Sequence, residues 1–200
     1  MKKILCLLTV FSFAMSACVS PKNTPVVETY SLASTPLPAT SSLPQKNIIR
    51  MLPATISSEF SNSFFIYRVS NTHYITDPYR RFLASPNREI SHYVETHLPA
   101  LLNATVISSD NLMAANVILQ ENITALYADY QHKSAPQAVI SMQFMLYSCN
   151  DGVITPLDSI SLTEKTDILP NSPESLMAGY QIDLDKIIWK ANVMINHQLK

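Results

Sequence analysis

The order of apolar and polar residues along this chain predicts most of its elements. In AVISMQFMLYSC, Ile140, Met142, Phe144 and Leu146 share one strand face against Ser141, Gln143 and Met145. Asn150-Asp151-Gly152 then supplies a hairpin turn, and a last strand is expected over Ile160 to Ile168. SFFIYRVSNTHYITDPYRRF is rich in aromatic and β-branched residues and reads as a hairpin. Phe64 to Val69 pairs with His73 to Thr76 around Ser70-Asn71. VVETYSL, Val26 to Leu32, reads as an edge strand, and NIIRMLPATIS as a short strand ended by Pro53.

Two helices are predicted. Ser85 stands at an N-cap position before Pro86, and Ile90, Val94, Leu98 and Leu101 recur every three or four residues. Pro99 kinks or ends this helix, whose expected span is 86–102. Ser172 and Pro173 repeat the signal, and Leu176, Tyr180, Leu184, Ile187, Ile188, Ala191 and Ile195 carry an apolar stripe through 173–199. Asp183 and Asp185 read as solvated charges off that stripe. NLMAANVILQENITALYADYQ fits a helical stripe and a strand face equally well, with Glu121 interrupting the latter. The order β-β-(β-β)-α-β-β-β-β-α gives an α+β fold, an antiparallel or mixed sheet packed on one face by two main helices.

The first residues follow a different pattern. MKKILCLLTVFSFAMSAC has a basic start, an apolar run and two small residues before Cys18, the layout of a secretory signal peptide over 1–17. The run is well short of the roughly 20 residues that span a bilayer. The segment resembles the lipobox of bacterial lipoproteins, with Met15 in place of the usual Leu. That resemblance makes Cys18 the first mature residue, carrying diacylglycerol and acyl chains. Val19, rather than an aspartate, favours the periplasmic face of the outer membrane of a Gram-negative bacterium. Residues 18–46 form the lipidated N-terminus and a Pro/Ser/Thr-rich tether with the edge strand 26–32, and 47–200 a single α+β domain.

Processing leaves Cys149 as the one free thiol, too few for an internal disulfide or a thiolate metal site. It also takes two lysines and no acid, so 14 basic and 15 acidic residues become 12 and 15. Such a balance excludes nucleic acid as a partner. With only two glycines, at 152 and 179, phosphate-cradling loops have no raw material. The histidines, at 73, 92, 97, 132 and 197, form no metal motif, and no serine sits in a nucleophile elbow. No catalytic residue, metal or cofactor is expected. Tyr67, Arg68, Tyr74, Tyr79, Arg80, Arg81 and Phe82 are the candidate contacts to a partner or to lipid.

Tyr67, Arg68, Tyr74, Tyr79, Phe82, Pro86, Ile90 and Leu98, with Tyr30 to Leu32 and the terminal helix, carry a wider likeness. The chain resembles the auxiliary lipoprotein component of ABC-type intermembrane transport systems, the family that includes PqiC. The resemblance implies that the ambiguous segment Val117 to Tyr130 is strand. It also implies a non-enzymatic, membrane-tethered periplasmic subunit whose partners are an ABC permease, its ATPase and an MCE-type substrate-binding protein, with homo-oligomerisation left open. The expected role is docking the apparatus at the outer membrane or lining a lipid path. The alternatives are a lipoprotein subunit of a secretion or envelope-assembly machine, and a periplasmic hydrolase with a dispersed site.

Overall fold

The structure, a computed structural model, describes residues 26–32 and 46–200. The signal peptide, Cys18 and most of the tether lie outside the described residues. Nine strands form one mixed sheet: β1 (Glu28–Tyr30), β2 (Ile48–Met51), β3 (Thr55–Ile56), β4 (Phe64–Arg68), β5 (Tyr74–Phe82), β6 (Thr105–Ile107), β7 (Val117–Asp129), β8 (Gln137–Asn150) and β9 (Val153–Asp167). Helices α1 (Pro86–His97) and α2 (Pro173–Gln198) pack against it. The α+β architecture is therefore as expected from the hydrophobic pattern.

The segment that periodicity left undecided is β7, and the sheet is built around it. One edge of β7 pairs antiparallel with β8 along its whole length, and β8 pairs likewise with β9. The other edge takes β2, β3 and β4 in turn, all parallel, like one strand interrupted at Pro53 and again before Phe64. β6 flanks β2, and β5 then β1 extend the sheet beyond β4. Ala138, Ile140, Met142, Phe144 and Leu146 all face the helices, as the alternation requires. Asp151 and Gly152 both take positive φ, 50° and 79°, in the two-residue turn between β8 and β9.

α2 lies along β8 and β9 and buries Leu176, Tyr180, Leu184, Ile187, Ile188, Ala191 and Ile195. Each such aliphatic or aromatic residue contributes ~1.5–3 kcal/mol. Gly179 lets the helix approach closely, since a Cβ there would stand 2.8 Å from the Cβ of Ala138. Ser172 caps α2 by accepting from the Ser175 N–H at 3.2 Å. Ser85 occupies the same position on α1 but makes no side-chain cap. Glu89 in its first turn instead accepts from groups outside the helix, the Ala84 and Leu32 N–H groups and the Ser31 hydroxyl, which ties the end of β1 to α1. α1 ends at His97, and Pro99 falls in the 3₁₀ turn Leu98–Leu101.

Two acidic side chains depart from expectation. Asp183 is fully buried and not solvated, because position 183 falls inside the stripe marked by Tyr180, Leu184 and Ile187. Its Oδ1 accepts from the Thr166 hydroxyl at 2.6 Å and lies 3.6 Å from the Lys186 ammonium, while Oδ2 has no partner among the described residues. Burial pushes its carboxyl up to about 6 against the pull of Thr166 and Lys186. Asp185 accepts from the Tyr93 hydroxyl at 2.9 Å and so links α2 to α1. Glu121, the residue that interrupted the strand pattern, is fully buried in β7, and among the described residues neither carboxyl oxygen has a partner. Burial, with the negative charge of Glu95 on α1 adding to it, pushes Glu121 up to about 8.

Candidate ligand cavity beside the β4–β5 hairpin

Alternation along β4 sends Phe65 and Tyr67 to the helix side of the sheet and Ile66 to the other. β5 does not follow β4 evenly. The register moves from Phe64 opposite Arg81 to Ile66 opposite Thr76, so three extra residues of β5 are pushed out as a bulge. Asp77 organises that bulge. It is buried and accepts from the Tyr67 hydroxyl at 2.7 Å, the Tyr79 N–H at 2.8 Å, the Arg80 N–H at 3.2 Å and the Arg80 guanidinium at 3.4 Å. Arg80 reaches on to Glu28 of β1 at 3.3 Å, so one network joins three strands.

The electrostatics follow from these contacts. Burial acts to raise the Asp77 carboxyl, but the Tyr67 hydroxyl, the two amides and Arg80 together hold it below the usual carboxylate range. Burial, reinforced by Asp77, raises the Tyr67 phenol, which stays protonated and donates. Arg80 stays charged between two carboxylates.

Between this hairpin and the start of α2 lies a cavity of about 460 Å³. Val69, Ile75, Leu176 and the rings of Tyr67 and Tyr130 give it apolar walls, and Arg80 and Lys133 supply two cations. Tyr67 and Tyr130 meet edge to face with centroids 5.3 Å apart. The volume is in the range of small-ligand sites, which join apolar walls to a few polar groups.

The residues singled out from sequence divide three ways. Tyr67 and Arg80 line the cavity. Arg68 is committed to an ion pair with Asp129 and lies 4.9 Å over the Tyr127 ring, while Tyr74 packs edge-on against Phe60 and Tyr127. Tyr79 and Arg81 are exposed at the sheet margin. Phe82 contacts no outside partner: it is buried, stacked on Tyr180 and edge-on to Phe65, because it lies one residue past the bulge on the core-facing side. Asp77 and Lys133 were missed. The Asp77-Pro78 pair is a turn signal that could have marked the bulge, whereas Lys133 had no local signal.

A mixed nine-stranded sheet with two helices on one face defines the class. No family model and no curated protein matches the sequence. Solved structures share the fold. Protein XCC0632 from Xanthomonas campestris, of family DUF330, aligns with a TM-score of 0.68 at 12% identity over 86% of this chain and 95% of its own. An uncharacterized protein aligns at 0.62 and 10% identity, over 88% of this chain and 99% of its own. The hypothetical protein CT253 from Chlamydia trachomatis aligns at 0.54 and 11% identity, over 74% and 96%. The chain thus shares its fold with this DUF330 protein.

Proposed function

We propose that this chain is a non-enzymatic lipoprotein, anchored through acylated Cys18 to the periplasmic face of the outer membrane. There it serves as the auxiliary subunit of an ABC/MCE-type intermembrane lipid transport system. The observation that carries the reading is the pairing of a cysteine in a lipobox-like setting with a domain of the DUF330 fold. Each acyl methylene buried in a bilayer contributes ~0.8 kcal/mol, so two or three chains hold the domain firmly. ATP hydrolysis belongs to the partner ATPase. The domain's task is to fix the outer-membrane end of the apparatus, and the cavity beside the hairpin is suited to part of an amphiphile.

Cys18→Ala tests the anchor. The variant should leave the membrane fraction while keeping its circular dichroism spectrum and melting temperature, and an incorporated palmitate analogue should be lost. Mild crosslinking of the wild-type lipoprotein should recover an MCE-domain protein and a permease. Recovery of secretion or assembly proteins without either would overturn the transport assignment.

A further inference from the structure

The described chain begins at Val26, beside the bulge of β5. β1 pairs parallel with β5, with Glu28 opposite Arg80, so residues preceding Glu28 head toward the Tyr74 end of β5. Val26 lies eight residue steps after Cys18, with seven residues between them. A fully extended chain covers at most ~3.6 Å per residue, so Val26 lies within about 29 Å of the acylated sulfur. A domain of this size has a radius of gyration of ~16 Å. The segment from Cys18 to Val26 therefore reaches less than two such radii, and the margin where it joins the sheet is the region held nearest the anchor.

That margin has a particular chemistry. Val26 is 81% exposed, and Tyr74, Ile75 and Tyr79 are each 43–48% exposed along the neighbouring strand. Tyrosine combines an apolar ring with a polar tip and suits the boundary between acyl chains and water. Arg81 and Lys133 are exposed nearby, and among the described residues neither has a carboxylate within ion-pair distance. The same margin is a poor template for an added protein strand. Among the described residues β1 covers only Arg80 to Phe82, and the uncovered stretch is broken by the bulge and by Pro78, which has no N–H to offer.

We infer that this margin, formed by Val26, Val27, Tyr74, Ile75 and Tyr79, rests in the lipid headgroup layer of the membrane that holds the anchor. The placement builds on the lipid anchor proposed above and adds an orientation to it. The hairpin side, with Ile75 of the cavity wall, faces the membrane. The exposed α2 residues Ile182, Trp189 and Val193 face away from it.

Trp189 is the only tryptophan in the chain, which makes the inference measurable. The lipidated full-length protein is reconstituted into phosphatidylcholine vesicles with and without brominated acyl chains. Three forms are compared: wild type, Trp189→Phe with Tyr79→Trp, and Trp189→Phe with Tyr74→Trp. Bromolipid should quench the probes at 79 and 74 at least twofold and leave Trp189 in the wild type within about a tenth of its unquenched intensity. Protein that floats with the vesicles but shows no quenching at either probe, or stronger quenching at Trp189, overturns the orientation and leaves the anchor standing. Protein that does not float overturns the anchor and the orientation together. The probe at 79 is on an exposed side chain, so a folding defect there is not expected; unchanged circular dichroism checks both variants.

Discussion

The bulge of β5 and the middle of β7 each bury a carboxyl group, with opposite results. Asp77 accepts from four donors and is held below the ordinary carboxylate range, whereas Glu121, with no donor, is pushed up to about 8. Asp183 falls between them, with one hydroxyl and one ammonium on a single oxygen and a value raised to about 6. Burial acts to raise all three and is strongest at Glu121, so what depth cannot explain is the downward shift of Asp77. The number and charge of donors decide it, because a hydrogen bond to the ionised form offsets the cost of taking charge out of water. The bulge frees backbone amides to point at Asp77, while the regular ladder around Glu121 spends its amides on β8.

The largest expected effect tests the donor-free end of that series. With a folded value near 8 and an unfolded value near 4.5, Glu121 binds more protons when folded across that interval. Stability should therefore fall as pH rises between the two, by roughly 1.4 kcal/mol per pH unit and about 5 kcal/mol in all. Glu121→Gln removes this slope. Denaturant unfolding at pH 5 and pH 8 should show the variant gaining on wild type by roughly 3–4 kcal/mol, most of that difference; a pH-independent gap would break the comparison. Asp183→Asn should act the same way over a lower and narrower window, between about 3.8 and about 6, with about 3 kcal/mol at stake. If the two windows coincide, donors do not separate the two sites.

Asp77 should show the reverse sign. Its folded value is depressed, so its contribution is present above the unfolded carboxylate range and is lost as pH falls through the folded value. At neutral pH Asp77→Ala strands the Tyr67 hydroxyl and two amides, for a loss of ~2–3 kcal/mol with Arg80 partly solvated. Asp77→Asn, which keeps an acceptor but not the charge, should lose about half as much. Thermal unfolding at pH 7 ranks the three, and an alanine variant as stable as wild type would remove Asp77 as the organiser of the bulge.

How far the sequence could be read follows the same division. β8 and α2 were legible because their faces obey strict periods, seen in Ile140, Met142, Phe144 and Leu146 and again from Leu176 to Ile195. β7 was not, because its parallel partners on one edge and a bulge between Ile123 and Ala125 spoil the alternation, and Glu121 sits on the core-facing side. The hairpin was legible as aromatic strands. Its cavity was not, since Lys133 and Asn171 arrive from distant loops and the aim of Arg80 depends on the bulge. Asp183 was misread because a single acid inside an apolar stripe looks like its boundary.

The smallest effect carries the comparison to neutral groups. Ser172 and Ser85 stand in the same sequence setting, a serine before proline at a helix start, yet only Ser172 accepts from the helix, at Ser175 N–H. Removing a hydroxyl that fills an orphan donor costs ~1 kcal/mol, and removing one that fills none costs a few tenths at most. Ser172→Ala should therefore lower the denaturation midpoint measurably, and Ser85→Ala should not, because the Ser85 hydroxyl accepts from no helix amide and the Ser85 carbonyl, which the substitution keeps, already takes the Arg88 and Glu89 N–H groups. Equal losses from the two serines would mean that position in the sequence, and not the partner found in the fold, sets what a polar group contributes.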